Sequence, residues 1–253
     1  MPVHPLHSTQ EIQKEGALLK KYRKWLQRFI VGLLAVVLLC AVGFGVYAAN
    51  YYHADATALA VYDEEGVSTS DTVTTLLPNT DTDTAILFYP GAKVEAAAYL
   101  PLLDQLRARG LACFLVEMPF NMAIFDIDAA ADVIADHPEI THWYLAGHSM
   151  GGAMASSYAA DHPDQLDGLI LLGAYLYGDY PPADTLIVYG SLNESVAEKV
   201  EDTDNVVVIA GGNHAQFGNY GPQKGDAEAT ISAAEQQRQT VDAICAFIDD
   251  RAA

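Results

Sequence analysis

The run HWYLAGHSMGGAMASSYAADHP, residues 142–163, decides the fold. Its first part, 142–149, is apolar and aromatic and has the length of a buried strand. Its second part, 151–163, is rich in alanine and closes on a His-Pro pair, which reads as a helix. Between them, Gly147-His148-Ser149-Met150-Gly151-Gly152 is the pattern G-x-S-x-G with one further glycine. A serine at that place must occupy a tight strand-to-helix bend that projects its hydroxyl from the sheet edge. Glycines two before and two after let neighbouring backbone pass without a Cβ clash. The helix opening at Met150 brings free N–H groups and a positive dipole end beside the serine oxygen. Two other glycine-rich turns compete with this reading. A phosphate loop asks for G-x-x-x-x-G-K-[ST], and no lysine stands here. A dinucleotide fold places its glycine-rich turn after the first strand, not midway along the chain.

Working outward, strand and helix patterns alternate. TAILFYP (84–90) is a continuous β-branched and aromatic run ending at Pro-Gly, as in a strand buried on both faces. AAAYLPLLDQLRARG (96–110) has helical spacing and a terminal glycine. ACFLVEMP (112–119) is the next strand, and DIDAAADVIADHP (126–138) a helix stopped by Pro138. Further strands are expected in 166–176, 185–191 and 205–212, with a long amphipathic helix over 230–250. Residues 57–77 have room for one or two short leading strands. The alternation implies an α/β fold: a mostly parallel sheet flanked by helices on both faces.

From about Thr84 onward the sequence resembles the α/β-hydrolase superfamily, particularly its small, lidless bacterial members. The resemblance rests on a strand leading to a Pro-Gly turn, the GHSMGG elbow, and a late strand ending in GGNHAQFGNYGPQKGD (211–226). It implies the α/β-hydrolase fold, no cofactor, and a serine nucleophile, Ser149, served by a histidine base.

A serine hydroxyl needs such a base to take its proton at neutral pH. Of eight histidines, His4, His7 and His53 precede the strand–helix alternation or stand at its start. His137 and His162 adjoin helix-ending prolines, His142 starts a strand, and His148 is the variable residue of the elbow. His214 follows a late apolar strand in a glycine-rich loop, where this fold keeps its base. The third triad member is less plain. Family members carry an Asp three residues after the glycine that ends the preceding strand; in Gly190-Ser191-Leu192-Asn193-Glu194 that position holds Asn193. Glu194 is adjacent, Asp179 and Asp184 lie in the preceding connection, and Asn193 and Glu194 are the leading alternatives. Asparagine orients an imidazole but supplies no charge, and the Asp→Asn change in a serine protease costs about 10⁴ in turnover. The oxyanion donors expected are the N–H of Met150 and that of Ala92, in the turn after TAILFYP. Lys93 and Glu95 follow closely and resemble a family motif, or form an exposed ion pair.

Composition narrows the rest. Residues 1–28 carry six Lys/Arg and two acids, whereas the remainder has seven basic residues against 31 acidic. So acidic a domain repels nucleic acid and anionic head groups. The three cysteines, Cys40, Cys113 and Cys245, make neither a disulfide framework nor a metal cluster, and no His pair has ligand spacing. FIVGLLAVVLLCAVGFGVYAA (29–49) is uncharged and long enough to cross a bilayer core of about 30 Å. The basic cluster precedes it and no Lys or Arg follows until Lys93. That asymmetry keeps residues 1–28 cytoplasmic and sends the rest outside the cell membrane. A cleaved signal, with Val46-Tyr47-Ala48 as a weak site, and a buried core helix are the competing readings. The expected organisation is a basic segment 1–28, a transmembrane helix 29–49, a linker 50–56 and a hydrolase domain 57–253. The expected activity is cleavage of an ester or related acyl bond of a small molecule. The contrasting expectation, prompted by Asn193, is a membrane-tethered binding or sensing domain with weakened catalysis. Oligomeric state is not legible.

Overall fold

The computed structural model describes residues 9–200 and 205–252; His4, His7 and the start of the basic segment lie outside them. The chain divides into two compact units at Asn50. The first contains one helix, α1 (Thr9–Ala49). It continues the expected 29–49 span backward through the basic run, where Lys, Leu, Gln and Arg are all good helix formers. No part of its apolar window is buried, which suits a membrane anchor or a signal.

The second unit is one eight-stranded sheet in the order β1-β2-β4-β3-β5-β6-β7-β8. β1 (Val67–Thr69) and β2 (Val73–Leu76) are the short leading strands, and both pair antiparallel. The other six are parallel: β3 (Thr84–Tyr89), β4 (Ala112–Val116), β5 (His142–His148), β6 (Gly168–Leu172), β7 (Thr185–Gly190) and β8 (Val206–Ile209). Their helices are α2 (Ala56–Ala60), α3 (Leu100–Arg107), α4 (Ala129–Asp136), α5 (Met150–Asp161), α6 (Glu194–Ala197) and α7 (Ala233–Ala252).

β3 explains why the central strands read as unbroken apolar runs. Ile86 and Phe88 join a core that includes Leu102 and Leu103 of α3 and Val241 and Ile244 of α7. Ala85, Leu87 and Tyr89 join the opposite core with Val133 of α4 and Ala155 and Tyr158 of α5. A strand covered on both faces has no polar side to alternate with. Cys113 lies in the first core and Cys245 packs against it, both as free thiols. Burial pushes the Cys113 thiol above its ordinary range, so it is an inert packing residue.

Residues 50–56 have the composition of a linker, yet most of them are fastened to the sheet unit. Tyr52 pairs in parallel with Val94, donating to the Lys93 carbonyl at 2.7 Å and accepting from Glu95 N–H at 2.9 Å. Ala54 N–H donates to Glu95 Oε2 at 2.9 Å, and Asp55 caps α2. These ties are tertiary and leave no local signature in the sequence.

Because the six strands from β3 onward run the same way, the turns after β3, β5, β7 and β8 collect at one edge. In open parallel sheets that edge is where sites are built.

Candidate active site

Ser149 stands between β5 and α5 with φ 54° and ψ −119°. A non-glycine residue held there costs on the order of 1–3 kcal/mol, so the surroundings must enforce the bend. Ser149 N–H donates to the Leu172 carbonyl at 3.0 Å, and Ala153 N–H donates to the Ser149 carbonyl at 3.1 Å. A Cβ on Gly147 would lie 2.5 Å from the Gly151 carbonyl carbon, and one on Gly151 would strike the carbonyl oxygens of Tyr89 and Pro90. The bend therefore exists only where these two residues lack side chains. Ser149 remains partly exposed at the sheet edge.

Ala92 lies in the turn after β3, between buried Gly91 and Lys93, whose φ is 58°. Lys93 N–H donates to the Asn121 carbonyl at 2.7 Å. This contact braces the Ala92 turn with a second loop, Pro119–Phe125, that sequence reasoning did not connect to the site. Phe120 and Asn121 are both left-handed there, and the Ala123–Phe125 turn packs on α5. Glu95 meets the Ala54 N–H and, at 3.4 Å, His53 Nδ1. It thereby fastens the start of the domain to this turn.

His214 follows β8, and its loop is held from three sides. Asp226 accepts from the backbone N–H of His214 at 3.1 Å and of Ala215 at 2.8 Å. Gln236 of α7 accepts from Asn213 N–H at 3.0 Å and donates to its carbonyl at 2.9 Å. Leu192 N–H donates to the Gly212 carbonyl at 3.0 Å, which ties the loop after β8 to the one after β7. The last tie brings Asn193 to the imidazole: its Nδ2 lies 2.8 Å from His214 Nδ1. Glu194 opens α6 and faces solvent, while Asn193 is 5% exposed. Of the two residues the sequence left open, only Asn193 has its side chain on the ring. Asp184 pairs with Arg251 at 2.6 Å on the surface.

Burial lowers the His214 pKa below its ordinary value, and the Asp226 carboxylate partly offsets this. The ring is therefore neutral at pH 7. Its tautomer depends on the Asn193 amide. With Nδ2 facing Nδ1, the ring nitrogen accepts and the proton rests on Nε2; Ser195 Oγ meanwhile donates to Asn193 Oδ1 at 3.0 Å. Turning the amide over exchanges its ends within the same outline. Oδ1 then accepts from Nδ1–H, Nδ2 donates to the Ser195 hydroxyl, which takes either role, and Nε2 is free to accept.

His148, read as the variable residue of the elbow, is 1% exposed and fully bonded. Its Nδ1 is 2.7 Å from the Tyr99 hydroxyl and its Nε2 is 3.0 Å from the His214 carbonyl. The one available signal was a histidine at the end of a strand buried on both faces, which requires partners without naming them.

Known proteins share this fold. The monoglyceride lipase of Saccharomyces cerevisiae is similar in structure, with a TM-score of 0.51, 12% identity, and coverage of 74% of this chain and 95% of that one. Est1E of Butyrivibrio proteoclasticus, solved with ferulic acid, has a TM-score of 0.51 and 15% identity, covering 74% and 98%. In sequence, a protein of Mycobacterium phage D29 described as a candidate non-heme haloperoxidase is 28% identical over 102 residues. The match spans 37% of this chain and 37% of the length of that relative. The sequence profile of the alpha/beta hydrolase family matches residues 85–238, well over half of the chain and enclosing both the elbow and the His214 loop; the chain belongs to that family.

Proposed function

We propose that the protein is a serine hydrolase that cleaves an ester or related acyl bond through an acyl-enzyme on Ser149. The observation that carries this reading is the left-handed Ser149 in its glycine-lined bend, because strain of this kind is kept where it presents a group for chemistry. Ser149 Oγ attacks the carbonyl carbon as His214 Nε2 takes its proton. Asn193, in the turned orientation, accepts from Nδ1–H and fixes the ring. The Ala92 and Met150 N–H groups hold the developing oxyanion, and neither donates in any other hydrogen bond among the described residues. Collapse expels the alcohol with the proton from His214, and water releases the acyl group by the same steps. Between β6 and β7 the chain forms only a 3-10 turn, Pro182–Asp184, so this connection contributes no helical lid over the edge. An open site suits small or surface-presented substrates.

A fluorophosphonate probe tests this directly. The full chain is expected to be labelled, and Ser149→Ala to take no label. Absence of labelling of the wild type at any pH from 5 to 9 would instead favour the second reading, a hydrolase-fold binding or sensing domain. The uncharged Asn193, with its Nδ2 turned to the ring, is what favours that alternative.

We further propose that α1 anchors the protein in the cell membrane with the sheet unit outside. Its unburied apolar stretch and the basic residues preceding it support this. Alkaline carbonate is expected to leave the protein in the membrane pellet; recovery in the supernatant would mean the helix is cleaved or does not span.

A further inference from the structure

We propose that Tyr99 and His148 are positioning residues. They form a buried hydrogen-bonded strut from the Gly91 N–H, through the Tyr99 hydroxyl and the His148 ring, to the His214 carbonyl. The strut holds the oxyanion turn, the elbow and the base loop in one register. Its catalytic consequence rests on the serine-hydrolase reading; its existence does not.

The direction of every proton in the strut follows from the chemistry of its ends. Gly91 N–H can only donate, and it reaches the Tyr99 oxygen at 3.1 Å. The His214 carbonyl can only accept, so His148 Nε2, at 3.0 Å, carries the ring proton. The single hydroxyl proton of Tyr99 then goes to His148 Nδ1, at 2.7 Å. Each donor meets one acceptor, and the ring is neutral. Burial and the neighbouring His214 hold its pKa well below the ordinary value, and the Tyr99 hydroxyl is raised by burial, so neither ionises at ordinary pH. The titratable groups around the ring are Tyr99 and His214, with Asp226 across the base loop.

Space has been cleared for this arrangement. A Cβ on Gly91 would lie 2.7 Å from His148 Nδ1 and 2.8 Å from the Tyr99 oxygen. Tyr99 is fully buried, with its ring 4.9 Å from that of Phe88. His148 is tilted against Phe217 at 5.6 Å and against His214 at 4.6 Å. With both nitrogens committed, His148 is not a second base. It joins three turns that come from strands far apart in sequence, and misplacement of a catalytic group by about 1 Å costs on the order of 100-fold.

Two measurements on the full chain in detergent micelles decide the matter. In the first, ¹⁵N shifts of labelled histidine should show His148 as the neutral Nε2–H tautomer throughout pH 5–8. In the second, fluorophosphonate labelling is followed against probe concentration. Tyr99→Phe and His148→Leu should lower the limiting rate on the order of 10- to 100-fold with little change in half-saturating concentration. His148→Gln should retain most of the rate, because its amide presents an acceptor and a donor in the same 1,3 relation as the ring nitrogens. An Nδ1–H tautomer, or a ring that titrates with an ordinary midpoint, overturns the proposal. So does labelling of Tyr99→Phe and His148→Leu at the wild-type rate. If wild-type Ser149 takes no label, the hydrolase reading fails and the ¹⁵N shifts alone judge the strut. The same holds if the variants do not fold.

Discussion

Asn193→Asp is expected to raise the limiting rate of ester hydrolysis by between about 10- and 1,000-fold. A carboxylate 2.8 Å from His214 Nδ1 accepts only, so it ends the choice that the amide leaves open and holds the ring proton on Nδ1. It also adds the negative charge that stabilises imidazolium as Ser149 gives up its proton. The reverse change in a serine protease costs about 10⁴, which sets the ceiling. The gain here is smaller because Asp226, bonded to the backbone N–H of His214, already places one carboxylate near the ring. The pH profile carries a second signature. Burial depresses the wild-type His214 pKa, so the neutral base persists below its ordinary value of about 6.5 and the acid limb of kcat/KM shifts down with it. An added carboxylate favours the charged ring, raises that pKa and moves the limb to higher pH. The advantage of the variant therefore grows from acid toward neutral pH. Initial rates on p-nitrophenyl acetate between pH 4.5 and 9 measure both effects. An unchanged rate with an unmoved limb would mean that residue 193 does not govern the imidazole. Glu194→Gln, at a solvent-facing position, is expected to change neither.

What was legible in the sequence followed the range of the interaction that writes it. The elbow is local: strand, bend and helix lie within 22 residues, and glycine at 147 and 151 is demanded by backbone that passes within the motif or beside it. The parallel sheet was legible for a similar reason, since burial on both faces leaves continuous apolar runs. His214 stands out in the sequence by its place after a late strand. The choice between Asn193 and Glu194 was not available, because it turns on one step of backbone at the start of α6. Asn193 there points inward beneath the Gly212 loop and Glu194 points out, and no propensity distinguishes adjacent polar residues at a helix start. His148 and Tyr99 are 49 residues apart, and the bond between them exists only because β3 and β5 are neighbours. The fastening of Tyr52 to Val94 escaped for the same reason.

Gly151→Ala is expected to destabilise the protein by about 2–4 kcal/mol and to lower its labelling rate on the order of 100-fold. Helix propensity alone predicts the opposite sign, since alanine in a helix is worth roughly 0.5–1 kcal/mol over glycine. Packing decides the outcome. The new methyl would overlap the carbonyl oxygens of Tyr89 and Pro90, which are backbone and cannot swing aside as a side chain does. Pro90 further stiffens that segment by fixing its φ. Relief therefore requires α5 to move away from the end of β3. That movement separates the Met150 N–H, on α5, from the Ala92 N–H, on the turn after β3, and so opens the proposed oxyanion site from both sides. For a domain of this size the stability loss corresponds to a fall in melting temperature of about 5–15 °C. Calorimetry and fluorophosphonate labelling on the same sample read the two effects together. A variant as stable as the wild type and labelled at its rate would show that α5 and β3 are not in the close contact on which the geometry of the bend depends.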